Sequence, residues 1–92
     1  MAQNSILAPG NSAATSTDIV VAAGEAVTVG IYAASAARPS VQFLVLQDTP
    51  GADNAVDRLG NTKMATVLSG PGTYRVQRPA YTGDAFGVFT ET

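Results

Sequence analysis

Along most of this chain, apolar side chains recur at every second position. The clearest run is residues 26–33 (AVTVGIYA), where Val27, Val29, Ile31 and Ala33 share one face and Thr28, Gly30 and Tyr32 the other. Residues 73–78 (TYRVQR) set Tyr74 and Val76 against Thr73, Arg75 and Gln77. Residues 85–90 (AFGVFT) set Phe86 and Val88 against Gly87 and Phe89. Residues 62–69 (TKMATVLS) carry Met64, Thr66 and Leu68 on one side, and residues 17–22 (TDIVVA) form a short β-branched run. Residues 41–47 (VQFLVLQ) are nearly continuously apolar, which predicts a central strand covered on both faces. No segment keeps a helical period over the ten or so residues a helix needs.

Turn residues separate these runs. Ala23-Gly24-Glu25, Asp48-Thr49-Pro50-Gly51 and Gly70-Pro71-Gly72 mark corners, residues 35–40 read as a loop broken at Arg38-Pro39, and residues 79–84 turn the chain back. Residues 52–60 carry much of the charge and read as irregular, with room for one helical turn over 53–58. The sum is six or seven short strands, paired antiparallel because no crossover helix links them. The expected fold is therefore all-β, a small antiparallel β-sandwich of immunoglobulin-like or jelly-roll-like type spanning residues 16–92. Its expected core is Val27, Val29, Ile31, Phe43, Val45, Met64, Leu68, Tyr74, Val76, Phe86 and Val88. Residues 1–15 are small, polar and broken by Pro9-Gly10-Asn11, and they read as an extended N-terminal arm. Ile6 and Leu7 are its only large apolar pair, an anchor for docking on a neighbouring chain.

Composition narrows the chemistry. Ninety-two residues make one small domain, which buries only about 60 to 65% of the surface its unfolded chain exposes. With no cysteine it has neither disulfides nor thiolate metal ligands, and with no histidine it lacks the commonest zinc ligand and general base. Self-association or docking on a larger assembly is the remaining source of added stability. Five basic residues against seven acidic ones, net −2, form no basic stripe, so nucleic-acid binding is not expected. Charged residues are 13% of the chain, about half the usual share, which suits a protein packed against other copies. No run is apolar and long enough for a membrane helix, and residues 1–10 lack the basic and apolar regions of a secretory signal.

No catalytic, cofactor or metal motif emerges. Asp48, Asp53, Asp57 and Asp84 do not have the spacing of a calcium loop, and the single lysine, Lys63, lies beside no serine-lysine motif. Arg75 and Arg78 fall on opposite faces of their strand. Each reads either as solvated charge or as a contact to a neighbouring subunit. With Ile6 and Leu7 they are the candidate interface residues. Gly72, Tyr74 and Val76 follow the Gly-Pro-Gly corner in the pattern of a tyrosine corner, in which the hydroxyl ties the turn back to the backbone.

The run GPGTYRVQRPAYTGDAFGVFTE, above all residues 71–89, resembles the head decoration (cement) proteins and similar β-sandwich modules of tailed bacteriophage virions. That resemblance implies a non-enzymatic virion protein, made in the host cytoplasm, that binds the major capsid protein or another virion component. It also implies a homo-oligomer, with a trimer favoured, and no cofactor. A receptor- or carbohydrate-binding module of a fibre or extracellular protein is the alternative, and a small inhibitor or adaptor is a third class. Against the carbohydrate reading stand the absence of tryptophan and a total of six aromatic residues, several of which the core needs.

Overall fold

The computed structural model describes residues 2–34 and 39–92. The loop expected over residues 35–40 lies largely outside these. The described residues form β1 (Gln3–Gly10), β2 (Ala14–Thr15), β3 (Ile19–Val21), β4 (Ala26–Tyr32), β5 (Phe43–Thr49), β6 (Ala52–Leu59), β7 (Ala65–Ser69), β8 (Gly72–Arg78) and β9 (Phe86–Glu91), with no helix among them. A first sheet runs β1-β9-β4-β7 and a second runs β2-β8-β5-β6, with β3 also on β8. Every pairing is antiparallel. Apart from the β5–β6 hairpin and the continuation of β2 into β3, each connection passes from one sheet to the other. The fold is the small β-sandwich that the alternation predicts.

Period-two patterning decides what each sheet buries. The first sheet contributes Val29, Ile31, Leu68, Phe86 and Val88, and the second contributes Ile19, Val21, Phe43, Val45, Leu59, Tyr74 and Val76. Each fully buried Val, Leu or Phe adds about 1.5 to 3 kcal/mol of apolar transfer. Val27 and Met64, expected in the core, are only partly buried against it.

At the Gly-Pro-Gly corner the Tyr74 hydroxyl donates to the Ser69 carbonyl at 2.7 Å, tying the start of β8 to the end of β7 across the two sheets. The ring is buried beneath this bond. Tyr74→Phe keeps the packing and removes one hydrogen bond. It is expected to lower stability by about 1 kcal/mol, read as a shift in the urea midpoint.

Three expectations are corrected by the structure. The segment read as an arm is an edge strand of its own domain: β1 pairs with β9 from Gln3↔Glu91 to Gly10↔Phe86. Its Ile6 and Leu7 are partly buried and pack against the core of their own domain. The polar composition that suggested an arm is what an edge strand tolerates, and Pro9 fits where one side of the ladder is unpaired. Second, residues 52–59 are not irregular but form β6, the partner of β5. Asp53 and Arg58 are exposed while Asp57 is only partly so, and a bulge opposite Val45 and Leu46 breaks the alternation that would have revealed the strand. Third, β5 is covered on one face only. Phe43 and Val45 enter the core, whereas Leu44 and Leu46 lie half-buried on the outer side of the second sheet.

Candidate functional site

The outer face of the first sheet is the surface on which this domain places aromatic rings. On β4, Thr28, Gly30 and Tyr32 alternate with the buried Val29 and Ile31; on β9, Gly87, Phe89 and Glu91 alternate with the buried Phe86, Val88 and Thr90. Register sets Gly30 beside Phe89 and Tyr32 beside Gly87. Each ring lies over a glycine. A Cβ on Gly30 would come within 2.6 Å of the Phe89 ring, and one on Gly87 within 2.9 Å of the Tyr32 ring. Part of what the rings do is therefore structural, since an aromatic across from a glycine restores the cover a side chain would give. The two rings meet edge to face at 6.0 Å.

From β1, Gln3, Asn4 and Ser5 close the side of a shallow depression of about 500 Å³ whose floor is Tyr32 and Phe89. The Ser5 and Tyr32 hydroxyls share a hydrogen bond of 2.7 Å. On the far side, β7 adds Ala65, Val67 and Ser69, with Val67 61% exposed. Among the strand positions of this face only Glu91 is charged, and it accepts a 3.3 Å bond from Gln3 Nε2. Such a face can bind by apolar contact and neutral hydrogen bonds with little charge to desolvate.

The residues singled out in the sequence lie elsewhere. Arg75 is on the outer side of the second sheet, where Nε donates to Asp18 and Nη1 to Asp53, both at 2.7 Å. These bonds, Asp53 first, raise the guanidinium pKa above its ordinary value. They tie β8 to β6 and to the chain before β3 within one molecule. Arg78 is not at the surface at all. It is 4% exposed, and its guanidinium donates to the carbonyls of Ser12 (2.8 Å), Ala8 (2.9 Å) and Phe86 (2.8 Å). It thereby closes the crossover from β1 to β2. Of the four candidate interface residues, Arg78 is buried, Arg75 is held by two aspartates of its own chain, and Ile6 and Leu7 are partly buried. The aromatic face was the part that sequence reasoning missed, although its signal was there. Tyr32 and Phe89 share parity with glycines and threonine, not with the valines of the core.

The aspartates also hold the fold together. Asp57 Oδ2 accepts from Lys63 Nζ at 2.9 Å and from the Thr66 hydroxyl at 2.8 Å, bridging β6 of one sheet to β7 of the other. The Lys63 bond, helped by Thr66 and the Arg58 amide, holds the Asp57 carboxyl below its ordinary pKa against the opposing effect of burial. A depressed carboxyl pKa stabilises the fold above the unfolded value, and that contribution disappears as pH falls through the folded value. The stability gap between the native chain and Asp57→Asn should therefore be full at pH 7. It should narrow below about pH 4 and close in stronger acid, as read from urea midpoints of both proteins across that range. No three His, Cys, Asp or Glu side chains among the described residues are placed to hold a metal ion.

Comparison of the chain with protein families, with curated proteins and with solved structures finds no match.

Proposed function

We propose that this domain is a non-enzymatic structural protein of a virion, a head decoration protein that attaches to the major capsid protein, with the outer face of the first sheet as its contact surface. The observation that carries this reading is the Tyr32–Phe89 face, which offers two rings and small side chains with a single charge among its strand positions. Aromatic side chains dominate the binding energy of protein interfaces, and a nearly uncharged surround lets them be buried without stranding an ion. Many copies side by side on a lattice turn a modest contact into firm attachment, because each added contact forms at high effective concentration. The low overall charge and the run over residues 71–89 that resembles decoration proteins support the same reading.

The test is co-sedimentation with capsids assembled without this protein. Phe89→Lys is expected to weaken binding at least about tenfold, as loss of a central aromatic contact does. Val20→Lys, at an exposed position of the second sheet, should leave it unchanged. One feature favours the alternative, carbohydrate binding: the depression joins aromatic rings to the amides of Gln3 and Asn4 and the hydroxyl of Ser5. Saturable binding to a soluble glycan, with none to capsids, would establish that reading instead.

A further inference from the structure

The four open edges of the two sheets differ in how they are guarded. Edge strands invite pairing with other chains, and proteins blunt them with bulges, prolines, charges or interruptions. β1 carries Pro9 and two shifts of register. β6 carries Asp53, Asp57, Arg58 and a bulge. The edge along β8 is interrupted between β2 and β3, with Asp18 in the gap. β7 (ATVLS) has none of these: it is uncharged and free of proline, and it pairs with β4 in unbroken register from Ala26↔Ser69 to Gly30↔Ala65.

The hydrogen bonds just beyond β7 show which of its backbone groups are free. Gly70 N donates to Glu25 O, and Ile31 N donates to Met64 O. Both pairs continue the β4–β7 register, so the hydrogen-bonded positions on this side are the even ones, 64, 66, 68 and 70. The N–H and C=O groups of Ala65, Val67 and Ser69 therefore point away from β4, toward the open edge. Among the described residues, one bond reaches them from outside the ladder, from the Tyr74 hydroxyl to the Ser69 carbonyl.

We propose that this edge pairs with the same edge of a second copy, β7 against β7 antiparallel, about a two-fold axis at Val67. The register is self-consistent. An axis at Val67 sets Val67 opposite the second copy's equivalent and Ala65 opposite the equivalent of Ser69, so the outward-pointing residues meet only one another. Four backbone bonds then form without competition: two across the Val67 pair, and two from Ser69 N to the Ala65 carbonyl. The side chains fit as well. Val67, 61% exposed, meets a β-branched copy of itself, and no like charges within the strands are brought together. The pairing joins two first sheets into one of eight strands and makes their outer faces continuous. It gives a dimer where the sequence-based expectation favoured a trimer. The inference stands on β7 alone, independent of the virion role.

Sedimentation equilibrium of the full chain tests it, from about 10 µM to about 1 mM, where a weak edge contact is populated. The native protein should shift from monomer to dimer. Val67→Pro removes the outward donor without touching the ladder to β4, and Val67→Lys places two like charges across the axis. Both should remain monomeric throughout. If the proline variant fails to fold, the lysine variant carries the comparison. The chain has no cysteine, so Val67→Cys introduces a single thiol. Paired positions across such an axis lie about 5.5 Å apart at Cα, within disulfide reach. Mild oxidation should link Val67→Cys into a covalent dimer at least about tenfold faster than Val20→Cys, which is 74% exposed on the other sheet. A native chain that stays monomeric at the highest concentration, equal cross-linking of the two cysteine variants, or an oligomer unaffected by Val67→Lys would each overturn the proposal.

Discussion

Arg78→Met is expected to lower the unfolding free energy by about 2 to 3 kcal/mol, although the substitution keeps a long, flexible, apolar stem. The loss comes from what the guanidinium leaves behind. The carbonyls of Ala8, Ser12 and Phe86 each take a bond from it at 2.8 to 2.9 Å in a site that is 4% exposed. A buried acceptor left without a donor costs about 1 to 3 kcal/mol, which applies in full to the Phe86 carbonyl; those of Ser12 and Ala8 are part-buried, on exposed residues, and cost less. Relief from burying a cation offsets part of this. The geometry also ranks the replacements. A planar guanidinium reaches three carbonyls at once, whereas the lysine of Arg78→Lys is a compact point donor that cannot span them. Lysine should therefore recover less than half of the loss. Urea midpoints of the three proteins measure the order. A methionine variant within about 0.5 kcal/mol of the native chain would mean that water replaces the guanidinium.

Phe43→Ala should remove about 3 to 5 kcal/mol, the range for emptying a phenylalanine site in a packed core. Phe43 is fully buried on β5, the strand between β8 and β6, and its ring approaches Tyr81 at 6.4 Å between centroids. The cavity cannot relax easily, because Tyr81 is itself held in place. Its hydroxyl donates toward the Asp84 carbonyl at 2.7 Å and accepts the Phe86 amide at 3.1 Å. A domain of this size has roughly 5 to 15 kcal/mol in all, and each kcal/mol moves its midpoint by about 4 to 8 °C. The variant should thus melt well below the native protein in calorimetry. By contrast, Val20→Ala, at a position 74% exposed, should stay within about 0.5 kcal/mol.

These two sites show where sequence reasoning reaches and where it stops. Phe43 sits in an apolar run, and burial follows from the run itself. Arg78 shares parity with Tyr74 and Val76, so alternation aimed it inward too. Its charge argued for solvent, and two of the three carbonyls that satisfy it come from residues 66 and 70 positions away in the chain. No local pattern announces such partners.

The candidate face divides the same way. That Tyr32 and Phe89 lie opposite the core could be read from their spacing. That each ring covers a glycine on the neighbouring strand needed the β4–β9 register.

By itself, then, the sequence determined the all-β class, the antiparallel sandwich and most of the inward positions. The cause is local: a strand's side chains alternate, and a two-layer fold must bury one face of each sheet. Only the tertiary structure decided that residues 3–10 are an edge strand and that charged residues 52–59 are another. Pairing partners are chosen by distant backbone, and an edge strand can carry a polar sequence that looks like an arm or a loop. It also decided the roles of the ions. Arg75 and Arg78 became internal ties because chain segments remote in sequence bring acceptors within 3 Å, and Asp57 became one because the turn from β6 into β7 brings Lys63 and Thr66 to it across the two sheets. A charge is solvated or satisfied according to what the fold places beside it, and that choice is made in three dimensions.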